Sequence, residues 1–258
     1  MPGTVSLYVE AGSPLHRAHP LTKVTLALSA IALGFILPFP LWVAGVEVAL
    51  LSLVVAGRVV RRLVVLAAVL IAPLAVLLLL VQGLVNPANR TILVALGPIP
   101  FYLEGLKVAA VSLLRIACLV TATFLFSTTT RPADLAEALM QKGLSARIGY
   151  VIQATLQVIP EMLSAADRIR DAQRARGLET EGGLVLRARA YIPLLAPLVL
   201  SSLVSTQERA MALEVRGFGL KVPRPARYVL ADSAWQRAVR WLLVLAVPAA
   251  LAVRILAR

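Results

Sequence analysis

Long apolar stretches alternate with short polar ones along most of the chain. A helix needs roughly 20 apolar residues to cross the hydrocarbon core of a bilayer, so such stretches predict transmembrane helices. We predict these helices over residues 21–37, 41–56, 63–81, 105–126 and 241–253. The last stretch gives only about 20 Å of helix, so we expect it to begin near Ala234 and to let Arg240 and Arg254 reach the membrane surfaces.

A longer polar segment, residues 127–236, separates the fourth and fifth apolar stretches. It carries charges of both signs, and its apolar residues recur at helical spacing over 160–176 and in a longer helix over 194–216, which predicts helices rather than strands. We therefore predict an all-α membrane protein with about five transmembrane helices. A membrane bundle covers 1–126, a cytosolic helical module inserted before the last helix covers 127–236, and the last transmembrane helix covers 237–258.

Proline and glycine mark the remaining boundaries. Residues 82–104 contain Asn86-Pro87 and Gly97-Pro98, which are turn signals, and this segment is predicted to be a loop. Pro73 lies inside the third apolar stretch and predicts a kink in that helix.

The composition supports membrane residence and a defined orientation. Hydrophobic residues make up 59% of the chain and the mean hydropathy is +0.85, which excludes an ordinary soluble domain. The net charge is +13, and aromatic residues at 5% are too few for nucleic-acid stacking, so no nucleic-acid partner is expected. The positive-inside rule predicts a cytosolic N-terminus, because basic residues cluster in alternate connections: Arg17, Lys23, Arg58, Arg61, Arg62 and Arg131.

The chain offers no catalytic constellation. His16 and His19 make a poor metal site beside an arginine, and Asp167 and Asp171 are interleaved with arginines as on a salt-bridged helix face. Cys118 stands alone in an apolar stretch, so it cannot form a disulfide within the chain. We predict a protein that is not an enzyme and that has neither a metal site nor a cofactor.

Two ionisable residues lie deep in the membrane stretches, Glu47 in the second and Arg115 in the fourth. Charges in lipid are costly and tend to pair, and counting from the cytosolic helix ends places both at similar depth. One interpretation is a Glu47–Arg115 pair that stabilises the bundle. The other is a polar path for a substrate or a proton.

Two similar stretches occur in the polar segment. Ala175-Arg176-Gly177 and Val215-Arg216-Gly217 both follow helical sequence. Glycine is the usual residue just past a helix end, and an arginine before it lies near the negative end of the helix dipole. Two such endings predict two equivalent contact points for two equivalent partners.

These features together resemble the transmembrane T component of energy-coupling factor transporters, the family that includes the cobalt-uptake and biotin-uptake T subunits. His19-Pro20-Leu21-Thr22-Lys23 resembles a motif that this family often has as Asp-Pro-Arg-Thr-Lys. Ser127-Thr128-Thr129-Thr130-Arg131-Pro132 resembles the family's threonine-rich start of the cytosolic module. The two arginine stretches resemble its Ala-Arg-Gly signatures, with Val215 in place of the second alanine.

The resemblance implies a non-catalytic subunit of an ATP-driven importer in a prokaryotic inner membrane. Such a subunit joins two cytosolic ATP-binding cassette ATPases to a small membrane S component that binds the micronutrient, a vitamin or a transition-metal ion. Carried over, Arg176 and Arg216 would each dock on one ATPase. The alternatives are a stand-alone permease with a substrate path along Glu47 and Arg115, and an integral membrane enzyme.

Overall fold

A computed structural model describes residues 14–87, 90–96, 99–177, 183–218 and 232–256. These residues fall into two compact units, one within Met1–Leu139 and Leu230–Arg258 and the other within Met140–Val229. The first unit is therefore discontinuous in sequence, and the second is inserted into it. The predicted domain boundaries at residues 126 and 236 separate membrane segments from a cytosolic segment, and these boundaries stay predictions.

Helices dominate both units, which confirms the predicted all-α membrane fold. The helices, numbered in chain order, are α1 Pro14–Arg17, α2 Pro20–Ile36, α3 Pro40–Ala56, α4 Val60–Val85, α5 Leu103–Thr129, α6 Pro132–Gln141, α7 Ala146–Ala175, α8 Leu184–Val215 and α9 Ala234–Leu256. Prolines at the first helical position of α2, α3 and α6 suit a residue that has no N–H to lose.

Three helices in the described residues, α4, α5 and α9, are long and apolar enough to cross a membrane. The helices α2 and α3 are also apolar but have 17 residues each, the lower end of the spanning range. As predicted, α9 begins at Ala234, which extends its short apolar stretch to 23 residues. Pro73 lies inside α4, where its missing N–H and its ring are expected to bend the helix.

The predicted loop over 82–104 is wrong in part, because the segment contains a β-hairpin. Strand β1, Ile92–Leu96, pairs antiparallel with β2, Ile99–Tyr102. The Glu104 carboxylate, in the first turn of α5, closes the hairpin by accepting hydrogen bonds from the backbone N–H of Arg90 and from both the N–H and the hydroxyl of Thr91. The helix α4 accordingly runs four residues further than predicted, to Val85.

The core of the first unit lies where α5 packs against α2, α3 and α4. Cys118 is buried in it among apolar side chains, and its thiol lies close to the Glu47 carboxylate. Gly34 of α2 faces Cys118 of α5, and a Cβ built on Gly34 would lie 3.4 Å from the Cβ of Cys118, an ordinary packing distance.

Candidate functional site

The first arginine stretch forms the C-terminal end of α7. The helix ends at Ala175, Arg176 is the C-cap residue, and Gly177 takes a φ of +89°, a left-handed conformation that favours glycine. The N–H of Gly177 donates to the carbonyl of Arg174 at 2.9 Å, which satisfies one of the carbonyls that a helix end leaves without a partner.

The second stretch ends α8 in the same way. Arg216 is the C-cap residue and Gly217 has a φ of +68°. The N–H of Gly217 donates to the carbonyl of Glu214 at 2.9 Å, and the N–H of Phe218 donates to that of Leu213 at 2.9 Å. These two bonds define a Schellman motif, and the first of them has its counterpart at Gly177. The predicted equivalence of the two stretches thus extends to backbone geometry.

Both arginines are exposed, and neither guanidinium forms a hydrogen bond or an ion pair within the described part of the chain. Ala175 is exposed as well, and Val215 is 89% exposed. Valine in place of the second alanine therefore disturbs no packing among the described residues. Each helix end presents an unpaired positive charge beside a small apolar side chain on a rigid turn.

The two ends point in opposite directions because α7 and α8 are antiparallel. The ring of Tyr150, near the start of α7, packs edge-on against the ring of Phe218, just past the end of α8, with centroids 5.0 Å apart. Further along, Glu161 of α7 forms an ion pair with Arg209 of α8. Since α7 ends beyond Glu161 and α8 ends beyond Arg209, we estimate that the two arginine ends lie roughly 30–40 Å apart along the pair.

The surfaces of α7 and α8 are unusually apolar for an exposed helix pair. Exposed large apolar side chains occur along both helices, and they include Ile148, Val151, Ile159, Leu163, Leu195, Val199, Leu203 and Met211. Apolar surface of this extent usually marks an interaction site with a protein or a membrane. The helix pair therefore has the character of a docking element with a charged contact at each end.

The predicted Glu47–Arg115 ion pair is not formed. Glu47 is 8% exposed, and its carboxylate accepts a hydrogen bond from the hydroxyl of Thr121 at 2.9 Å. Arg115 instead donates to the carbonyl of Leu37, at 3.4 Å. The two residues thus bond to different neighbours and form no shared polar cluster.

The mispairing has a simple geometric cause. We predicted that the fourth transmembrane helix ends at residue 126, but α5 continues to Thr129. Arg115 therefore lies deeper than Glu47, and Thr121, eight residues before the end of α5, is level with Glu47, nine residues before the end of α3 at Ala56. A short error in a helix end was enough to select the wrong partner.

We expect Thr121→Val to destabilise the bundle by about 1–2 kcal/mol, because it removes the hydroxyl donor of the buried Glu47 carboxylate and leaves only the weaker Cys118 thiol beside it. The double variant Glu47→Leu with Thr121→Val should cost less than the two single changes summed, whereas Glu47→Gln and Arg115→Gln should be additive within about 0.5 kcal/mol. Unfolding midpoints of the detergent-solubilised variants measure both couplings. Strong coupling between Glu47 and Arg115 would contradict the arrangement.

A polar cluster that sequence reasoning missed joins α2, α5 and α9. The ammonium group of the buried Lys23 donates to the carbonyl of Thr129 at 2.7 Å and to that of His16 at 2.9 Å. Thr129 is the last residue of α5, so Lys23 supplies a charged donor to a carbonyl at the negative end of that helix. This part of the His19-Pro20-Leu21-Thr22-Lys23 motif is therefore structural.

The same motif also holds the start of α9. The N–H of His19 donates to the side-chain carbonyl of Gln236 at 2.9 Å. The guanidinium of Arg240 binds both carboxylate oxygens of Asp232 at 2.8 Å and lies 3.4 Å from the His19 ring nitrogen Nδ1. The contacts of His19 with Gln236 and Arg240 span more than 200 positions of sequence, so local patterns give no signal for them. We call Lys23, His19, Asp232, Gln236 and Arg240 the basic-end cluster.

The remaining predicted site residues have ordinary structural roles. The ring nitrogen Nδ1 of His19 accepts a hydrogen bond from the N–H of Leu21 and so caps α2. Arg170 pairs with Asp167 at 2.9 Å, as expected for a salt-bridged helix face. Within the described ranges, no group of three or more His, Cys, Asp or Glu side chains is placed to hold a metal ion.

Comparison with known proteins identifies relatives over most of the chain. The sequence profile of the family described as CbiQ, cobalt transport protein, matches residues 11–226. An energy-coupling factor transporter transmembrane protein EcfT from Thermanaerovibrio acidaminovorans is 33% identical over 242 residues, 89% of each chain. Proteins of the same name from Heliobacterium modesticaldum and Listeria innocua are 32% and 30% identical, over 83% and 82% of this chain and 83% of each relative.

Proposed function

The chain belongs to the CbiQ family and is a transmembrane component of energy-coupling factor transporters, and from this premise we propose that it joins two cytosolic ATPases to a substrate-binding membrane subunit. The two ATPases are ATP-binding cassette proteins, and the membrane subunit is a small S component. ATP hydrolysis in the former drives uptake of a micronutrient, a vitamin or a transition-metal ion, held by the latter. This chain itself performs no chemistry.

The observation that carries the proposal is the pair of matching helix ends. Arg176 and Arg216 stand at opposite ends of an antiparallel helix pair, each exposed and each followed by a left-handed glycine. Two equivalent contacts separated by roughly 30–40 Å suit two similar partners side by side better than one partner bound at a single point.

The side chains at each end suit a protein groove. A guanidinium offers a rigid fork of donors that matches carboxylates and backbone carbonyls. The small neighbours Ala175 and Val215 leave room for a partner surface to close around the arginine, and the glycine turns, Gly177 and Gly217, direct the chain away from it. Helices of 30 and 32 residues, with Pro160 inside α7 and Pro193 and Pro197 inside α8, connect these ends to the rest of the pair.

The orientation follows from the distribution of charge over the first unit. Lys23 and Arg240 belong to the basic-end cluster. Arg58 lies between α3 and α4, and Arg61 and Arg62 lie in the first turn of α4, beside the last turn of α5. We assign this end to the cytosol by the positive-inside rule. The N-terminus and the module over 127–236 then also lie in the cytosol of a prokaryotic cell, and the chain is a multi-pass protein of the inner membrane.

Co-expression of a tagged chain with the ATPase and S-component genes of its own organism tests the function. We expect both ATPases and the S component to co-purify, and proteoliposomes containing all subunits to take up substrate only with internal or external ATP. The chain alone should transport nothing. Uptake by the chain alone would favour the stand-alone permease and would contradict the coupling role.

A further inference from the structure

An open groove runs between α4 and α5 and is not used by the proposed coupling role. Its volume is about 710 Å³, within the range of small-molecule sites. The walls are mostly apolar and come from Val65, Leu66, Val69, Leu70, Leu119 and Phe124. Both helices belong to the first unit, so the groove is formed within one compact body.

One end of the groove is basic. Arg61 and Arg62, in the first turn of α4, line it there, together with the hydroxyl residues Ser127 and Thr128 from the last turn of α5. Both arginines are exposed, and neither has a hydrogen bond or an ion pair within the described ranges. The groove therefore combines an apolar floor with an unneutralised double positive charge at its mouth.

Two backbone features add to the positive character of this end. The helix α4 begins at Val60 with no side-chain cap, so its first N–H groups face outward at the positive end of the helix dipole. Just before it, Arg58 adopts a φ of +56°, a left-handed conformation that residues other than glycine rarely take. Its exposed side chain adds a third positive charge next to the mouth.

The length of the groove restricts what can occupy it. From Arg61 to Leu70 it follows α4 for nine residues, roughly 14 Å. That is about the thickness of one leaflet of the hydrocarbon core, whereas a transmembrane path would need about 30 Å. A ligand with a charged head at the membrane surface and an apolar tail within one leaflet fits both the length and the charge.

We propose that this groove binds an anionic phospholipid, with its phosphate at Arg61 and Arg62 and an acyl chain along Val65, Val69 and Leu119. Each basic residue near an anionic lipid surface strengthens binding about fivefold. A headgroup of net negative charge is favoured over a zwitterionic one, because the mouth carries no acidic side chain to receive a choline group. The bound lipid fills the space between α4 and α5 on the basic side of the membrane.

Native mass spectrometry of the full-length protein, titrated with dioleoylphosphatidylglycerol in detergent, tests the headgroup site. We expect Arg61→Gln and Arg62→Gln each to weaken binding about fivefold and the double variant to weaken it about twentyfold or more. Arg90→Gln, an exposed arginine in the α4–β1 connection, is the matched control and should leave binding unchanged. Equal affinity for phosphatidylglycerol and phosphatidylcholine, or full binding by the double variant, would overturn the proposal.

A second set of variants tests the acyl-chain site without changing charge. Thr123→Trp places a large ring in the groove, and it should reduce lipid retention, whereas Ser52→Trp on the exposed face of α3 should not. Competition by inorganic phosphate with no effect of Thr123→Trp would instead indicate a free-phosphate site. Absence of phosphatidylglycerol from protein extracted directly from membranes with its bound partners would mean that a protein covers the groove. Either result overturns the lipid assignment.

Discussion

Charge reversal at both Arg176 and Arg216 is expected to abolish ATP-driven uptake while leaving the protein in the membrane. Each arginine stands at a helix end, exposed and unpaired within the described chain, so it is accessible to another subunit. Loss of one partner from a buried charged contact costs about 2–5 kcal/mol, which weakens docking by about thirtyfold or more. A glutamate would in addition repel the acidic groups that an arginine attracts.

The two single variants show whether each arginine makes its own contact with an ATPase. If each arginine serves a different ATPase, Arg176→Glu and Arg216→Glu should each lower uptake, and the double variant should lose ATPase subunits during purification. If the arginines only interact with their own helix dipoles, each change should cost about 0.3–1 kcal/mol and uptake should continue. The two cases differ by at least about 1 kcal/mol, or about fivefold in an equilibrium constant.

Subunit retention and ATP-driven uptake, measured on the same reconstituted complexes, distinguish these cases. Arg168→Glu provides the control, because Arg168 is an exposed arginine of α7 with no ion pair in the described chain. It reverses a charge on the same helix two turns before Arg176, about 12 Å away, and leaves the helix end itself unchanged. Normal uptake by both end variants would exclude the coupling role of the two arginines.

Replacing Lys23 with methionine should destabilise the first unit more than any exposed substitution. The change removes a buried ammonium group and leaves the carbonyls of Thr129 and His16 without their charged donor. Hydrogen bonds to charged groups contribute about 1.5–3 kcal/mol each, and part of this is offset because burial of the charge is also removed. We expect a net loss of about 2–3 kcal/mol, or roughly 5–10 °C in the unfolding temperature.

Thermal unfolding of the detergent-solubilised protein, followed by the loss of monodisperse material, measures this effect. Lys107→Met is the matched control, since Lys107 is exposed on α5 and has no partner within the described residues. It should change the unfolding temperature by no more than about 1–2 °C. A similar loss in both variants would show that Lys23 stabilises the protein through general charge and not through its two carbonyl contacts.

The parts of the fold that were predictable from sequence are those that the local pattern of apolar residues indicates. The apolar stretches give the positions of α2, α3, α4, α5 and α9, since burial in lipid leaves little choice of structure. The helix ends at Arg176 and Arg216 were equally predictable, because a glycine that follows an arginine at the end of a helical sequence favours the left-handed turn that ends the helix.

The parts that were missed depend on contacts between residues far apart in sequence, or on the exact residue at which a helix or strand ends. The basic-end cluster joins positions that lie more than 200 residues apart, for which neither spacing nor composition carries a signal. The hairpin was missed because Gly97-Pro98 and Pro100 disfavour a strand assignment when read alone. Glu47 was paired with Arg115 in place of Thr121 because the end of α5 was placed three residues too early.

The discontinuity of the first unit has a consequence for how the protein is made. α2 and α9 pack against each other, and His19 and Arg240 contact at one end while Arg254 donates to the carbonyl of Phe35 at the other. During synthesis α2 leaves the ribosome long before α9, and the whole inserted unit is made in between. The hydrogen bond from the N–H of His19 to Gln236 can therefore form only after the inserted unit has been synthesised.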